Sequence, residues 1–177
     1  MIKSRHNLSY CLFTAVLIAG CSGTRNLPEG DLLYTGGSVD VLSESTPKKE
    51  RKALEAALEP LLRPKPNASF LGMRPKLFFY NLAGEPTKDK GFRYWLRNKV
   101  GEPPVLYSEV DLDYNKKVLQ NYAENNGYFN TTSVADSTRS GKKATAEYTL
   151  DPKRLYTIRD VKFPADSSLL GLSLIHI

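Results

Sequence analysis

Cysteine and histidine, two of each, and long apolar runs are scarce in this 177-residue sequence. Both cysteines, Cys11 and Cys21, stand near the head, so the chain after residue 21 folds without an internal disulfide and must be held by packing. Both histidines, His6 and His176, stand near the two ends. That removes Ser-His-Asp and Cys-His nucleophilic sites, and the usual zinc sets, from the body of the chain. No glycine-rich phosphate loop occurs; Gly36-Gly37 stands alone and reads as a hairpin turn. Catalysis would have to rest on carboxylates alone, and Asp111 and Asp113, two apart on a predicted helix, point in different directions. The expectation is a non-enzymatic chain with no catalytic residues, no metal and no cofactor.

The longest apolar run, Leu8 to Gly20, is about 13 residues, too short to cross a bilayer. Lys3 and Arg5 precede it and the small residues Ala19 and Gly20 close it, the layout of a secretory signal over residues 1–20. Ile18 three residues before Cys21, with the small pair directly before it, resembles the bacterial lipobox. The resemblance implies cleavage between Gly20 and Cys21 and lipidation of Cys21. At about 0.8 kcal/mol per buried methylene, one acyl chain is marginal and two or more hold a protein on a membrane. The rival reading is an ordinary signal or a buried segment with Cys21 as an incidental small hydrophobe. Cleavage leaves 157 residues (177 − 20), enough for one domain or slightly more with a real core. The formal charge falls from +6 to +4 as Lys3 and Arg5 leave, which is no nucleic-acid signature.

Residues 21–30 are small, polar and broken by Pro28 and Gly30, as a tether should be. Ser22-Gly23-Thr24 carries neither an early Asp nor an acidic cluster, so the lipoprotein resemblance implies the periplasmic face of the outer membrane. Leu32-Leu33-Tyr34 and Val39-Asp40-Val41, with Gly36-Gly37 between, form the first predicted strand. Thr46 is a candidate cap and Pro47 a first helical residue for a helix over 48–62. Its apolar stripe is Leu54, Leu58, Leu61 and Leu62, and Pro60 should bend or end it early. Its basic start, Lys48 to Lys52, reads as a solvated face, with contact to anionic lipid as the alternative.

Residues 63–75 hold three prolines and read as a connection. Lys76 to Asn81 is an aromatic stretch that must be buried or face a partner. Phe92, Trp95, Leu96 and Val100 mark a short amphipathic helix. Core packing with solvated flanks is favoured for it over a membrane-lying helix or a nucleic-acid surface. Ser108 and Asp111 fit a capping box, and Tyr107 and Leu112 a hydrophobic staple. The helix they open should run over 109–126, with Val110, Tyr114, Val118 and Tyr122 inward, widened by Leu119 and Ala123, and Gly127 as terminator.

After Gly127 the period becomes two. Tyr128, Asn130, Thr132 and Val134 share one face of a polar strand, and Ala144, Ala146, Tyr148 and Leu150 alternate in a cleaner one. A loop over 137–143 containing Gly141 makes the pair a hairpin. Asp151-Pro152 turns the chain into a fourth β run, 155–163, with a bulge between Ile158 and Val161.

This β-α-α-β-β order resembles a POTRA domain, the periplasmic module of BamA and TamA type outer-membrane assembly proteins. The local sequences Gly101-Glu102-Pro103-Pro104-Val105-Leu106 and Asn126-Gly127-Tyr128-Phe129 resemble the lipoprotein members of that superfamily, the TamL type of Bacteroidetes. So do Leu27-Pro28-Glu29-Gly30 after the cysteine, Tyr34-Thr35-Gly36, Lys76 to Asn81, and Lys90-Gly91-Phe92. The resemblance implies an α+β fold with a mixed three-stranded sheet: a first POTRA-like domain over 31–151 with an insertion at about 63–105, and the start of a second over 152–171. Residues 172–177 look foreign, so the chain is expected to be a fragment.

The expected function is lipid-anchored and periplasmic: binding unfolded outer-membrane proteins, or a periplasmic or inner-membrane partner subunit, by β-augmentation. The second strand, with Tyr128, Asn130, Thr132 and Val134, would be the binding edge. The alternative is a stand-alone periplasmic lipoprotein that binds envelope polysaccharide or a protein through Phe78, Phe79, Tyr80 and Trp95. Nucleic acid is not an expected partner.

Overall fold

A computed structural model describes residues 22–43 and 46–161. The expected signal peptide (1–20), the expected lipidation site Cys21, the stretch 162–171 and the suspect tail (172–177) lie outside the described residues. The fold is α+β. Strands β1 (Leu33–Val41), β2 (Thr132–Ser140) and β3 (Lys143–Asp151) form a mixed sheet in the order β1-β3-β2. β1 runs parallel to the central β3, and β2 antiparallel to it. Between β1 and β2 lie helices α1 (Lys48–Leu58), α2 (Pro75–Ala83), a short α3 (Phe92–Trp95) that continues as a π-helical turn (Leu96–Val100), and α4 (Leu112–Asn125). Among the described residues no helix is long and apolar enough to cross a membrane.

The sheet's alternation builds the core. Ala144, Ala146, Tyr148 and Leu150 of β3 are buried on one face, where they meet Tyr34, Val39 and Val41 of β1, Leu54, Leu58 and Leu62 from α1 and the turn after it, and Leu119 and Ala123 of α4. Pro60 acts as its chemistry requires: the α-helix stops at Leu58 and a 3-10 turn over Glu59–Leu61 follows.

Several expectations are corrected. Gly36-Gly37 is no hairpin turn; β1 is one continuous strand whose register with β3 shifts between Tyr34 and Gly37, so the pair sits in a bulge. Thr46 does not cap α1: its hydroxyl bonds Ser43 Oγ at 2.9 Å, and no side chain caps the helix. The 21–30 tether is not free along its length, because Ser22–Thr24 form a 3-10 turn beside α2. The Lys76 to Asn81 aromatics lie on a helix, α2, with Pro75 in its first turn.

The capping box fails in an instructive way. Ser108 lies in a separate 3-10 turn (Tyr107–Glu109) and donates to Asp31 Oδ2 at 2.5 Å, which holds the Asp31 carboxyl below the usual carboxylate range. Asp111 takes the cap, accepting from the Tyr114 amide at 2.8 Å. The buried face of α4 is also rotated from the expected one. Asn115, Leu119 and Ala123 are buried, whereas Tyr114 is exposed and Val118 and Tyr122 are half-buried. A buried asparagine is tolerated because its amide is fully used: Oδ1 accepts from the Arg63 amide (3.0 Å), and Nδ2 donates to Arg63 O (2.6 Å) and Tyr148 Oη (2.9 Å).

Gly127 does terminate α4 at φ +89°, and it packs so closely that a Cβ would meet Tyr156 O at 2.7 Å. The Tyr156 amide donates to Gly127 O at 2.9 Å, and the described residues 155–161 of the expected fourth β run pair with no strand. The segment lies against the end of α4, with Tyr156 edge-on to Phe129 at 5.6 Å.

Candidate functional site

A three-stranded sheet with β3 in the middle has two edges, β1 and β2, and the chain treats them differently. β1 is covered. The Tyr34 amide donates to Val105 O (2.9 Å), the Tyr107 amide to Leu32 O (2.8 Å), the Val41 amide to Glu55 Oε1 (3.0 Å), and Arg74 Nη2 to Thr35 O (3.3 Å). The stretch 105–107, α1 and the residue before α2 thus occupy backbone groups at the two ends of this edge, at Leu32, Tyr34, Thr35 and Val41, that an added strand would need.

β2 is left open. Gly141 and Lys142 alone connect it to β3, with Ser140 opposite Lys143 and Gly141 at φ +57°, so the turn is shorter than the expected 137–143 loop. Leu150 O accepts from the Leu42 amide and Lys142 O from the Leu33 amide, so the even-numbered backbone groups of β3 point to β1 and the odd-numbered ones to β2. The register then turns the amides and carbonyls of Ser133, Ala135, Ser137 and Arg139 outward. Among the described residues, one of these groups has a cover: the Ser137 amide donates to Asp136 Oδ1 at 2.7 Å.

The expected site residues divide. Thr132 and Val134 lie on β2 with exposed side chains, on the sheet face away from the core. Tyr128 precedes the strand and is buried, which pushes its hydroxyl pKa up, and Asn130 sits in the turn before β2 at φ +61°. The face they were assigned to is therefore not shared. Sequence reasoning did not single out the backbone of Ala135, Ser137 and Arg139, which with Ser133 forms the edge; only the register with β3 identifies the set.

The aromatics of the alternative surface are divided among three contacts. Phe78 and Phe79 pack edge-on at 5.7 Å and line a cavity of about 180 Å³ with Phe70, Met73 and Leu33. Tyr80 lies under the Arg97 guanidinium, 4.0 Å from ring centroid to carbon, and Arg97 also donates to Gly84 O at 2.7 Å. Arg93 donates to Ala83 O at 3.2 Å, so two cations meet the carbonyl end of α2. Trp95 stacks on Phe92 at 5.9 Å, and both are exposed rather than core, contrary to the expected packing. Arg93, Arg97 and the π turn hold this helix instead.

Among the described residues no cluster of three or more acidic, cysteine or histidine side chains is placed to hold a metal. The shifted tyrosines, Tyr34, Tyr128 and Tyr148, are raised first by burial. Such an arrangement supplies backbone donors and acceptors along one edge. Comparison with family models, curated proteins and solved structures finds no match to this chain.

Proposed function

We propose that the chain is the lipid-anchored envelope portion of an outer-membrane protein assembly or translocation factor, POTRA-like in topology, that holds extended clients by adding them to β2. One observation carries the reading: β1 is covered at Tyr34, Thr35 and Val41, and at Leu32 just before it, while β2 presents outward backbone groups at alternate residues over nine residues. An extended polypeptide needs only backbone groups at strand spacing to pair there, so binding is largely independent of client sequence. The β2 side chains Thr132, Ser133, Ser137 and Thr138 are small and polar, which suits reversible capture over permanent adhesion.

Proline at Ser133 and at Ala135 tests the edge, since each removes an outward donor and leaves the ladder with β3 intact. With a photo-crosslinker at Val134, an unfolded outer-membrane β-barrel protein should crosslink to the parent chain and lose most of that yield in the double-proline variant. Equal yields from both, with unchanged circular dichroism, would dismiss β2 as the site. The exposed Phe92–Trp95 stack favours a second reading, binding of envelope polysaccharide. That reading requires a shift of Trp95 emission on adding soluble glycan fragments.

A further inference from the structure

We propose that the turn at Phe70–Met73 is a wedge that enters the phospholipid leaflet holding the acyl anchor. The inference rests on acylation of Cys21, part of the reading above, and adds a second contact of the protein body with lipid.

The residues that follow the proposed anchor pack on the protein body. Ser22–Thr24 are a 3-10 turn beside α2, and a Cβ at Gly23 would lie 3.6 Å from Leu77 Cδ2 and 4.0 Å from Leu33 Cδ2. One peptide unit, about 3.8 Å between Cα atoms, separates Ser22 from Cys21. An acyl group on Cys21 would therefore bring the leaflet within reach of the residues around Gly23. Those include Thr24, Phe70, Met73, Phe78 and Phe79, which with Gly23 line the 180 Å³ cavity.

The turn is built to project apolar side chains. Phe70 and Met73 exchange both backbone hydrogen bonds, at 2.8 and 3.0 Å, around Leu71 and Gly72. Both central residues have positive φ, +49° and +76°. A leucine there is strained, and strain of this kind is held where a function needs the geometry. Phe70 is 68% exposed and Leu71 82%, a pair at a tip that water does not favour and acyl chains do. Arg74 and Lys143 line the same cavity and place positive charge where lipid phosphates would sit.

The test uses the full chain, acylated in a bacterial host and reconstituted in vesicles of phosphatidylethanolamine and phosphatidylglycerol. The fluorophore NBD is attached at Leu71→Cys, at Phe70→Cys, or at Asn125→Cys. Asn125 lies at the end of α4 that leads into Thr132, the end of the sheet remote from Lys143. Insertion predicts blue-shifted emission and about two-fold or greater quenching by acyl-chain nitroxide lipids at Leu71 and Phe70, and neither at Asn125. Protein that floats with the vesicles while both tip probes stay water-like overturns the wedge and leaves the anchor standing. Protein that fails to float overturns both. Client crosslinking at Val134 is read separately, so the edge stands or falls by itself.

Discussion

Two tyrosines from neighbouring strands show how one functional group takes opposite values in one core. Tyr148 Oη accepts from Asn115 Nδ2, whereas the Tyr34 hydroxyl is buried with no hydrogen-bond partner among the described residues. An unmet buried hydroxyl costs stability, and a met one leaves its partner orphaned when it is removed. Tyr34→Phe should therefore be neutral or stabilising by up to about 1 kcal/mol, and Tyr148→Phe should cost about 1–3 kcal/mol, in urea titrations at pH 7. Burial, followed by the nearby Tyr148 and Tyr107 hydroxyls, pushes the Tyr34 pKa up to about 12. Because the folded value lies above the unfolded one of about 10, the neutral phenol's share of stability is complete below pH 10 and is lost as pH rises toward 12. Stability of the parent should fall in that window, and Tyr34→Phe should make the fall shallower by about one proton's slope. An unchanged slope would mean that Tyr34 is hydrated in the folded protein.

At the scale of elements, what was legible followed from periodicity and punctuation, and what was not followed from contacts between distant segments. The β1, α1, α4, β2 and β3 order, Pro60 as a helix stop and Gly127 as a terminator can be read locally because each depends on a few adjacent residues. The phase of α4 could not be: Tyr114 reads as apolar and Asn115 as polar until Arg63 and Tyr148 supply the asparagine's partners. Likewise α2 hides behind three prolines in a short aromatic run with no clear period. Topology alone made the second strand a sheet edge, but which of its residues turn their backbone outward depends on register, and a shift of one residue exchanges every inward and outward group. Asp136 gives this edge a guard. It covers the Ser137 amide and stands opposite Glu147, a like-charge cross-strand pair that disfavours a close approach by another acidic strand. Asp136→Thr should raise client crosslinking at Val134 and promote a dimer in sedimentation velocity. A variant that does neither would show that the carboxylate has no gatekeeping role.

Across the whole molecule, the insertion between α1 and α4 is attached to the sheet through a short relay centred on Asn67. This residue is 3% exposed; its Oδ1 accepts from the Val105 amide at 3.0 Å and its Nδ2 donates to Glu102 Oε1 at 3.0 Å and to Pro103 O at 2.8 Å. Val105 O in turn accepts from the Tyr34 amide, so Asn67 couples the insertion to β1 beside the direct bond from Arg74 to Thr35 O. Within the insertion, α2 meets the turn after α3 through Gly101, where a Cβ would lie 2.8 Å from Tyr80 Cα, while the sheet's core cluster draws on none of α2 or α3. The two regions have separate packing and a narrow connection, the condition for opening independently. Asn67→Ala leaves the Val105 donor and the Pro103 acceptor without this partner, worth about 3 kcal/mol by the cost of unmet buried groups. Amide exchange in α2 and the 92–100 helix should then accelerate by about a hundredfold, while the β3 amides of Tyr148 and Leu150 change far less. Equal acceleration in both would make the insertion and the sheet one cooperative unit. If Cys21 carries the proposed anchor, the same opening would release the Phe70–Met73 turn from its place beside Gly23 and Thr24. The Asn67→Ala chain should therefore remain on vesicles while nitroxide lipids quench a Leu71 probe less strongly.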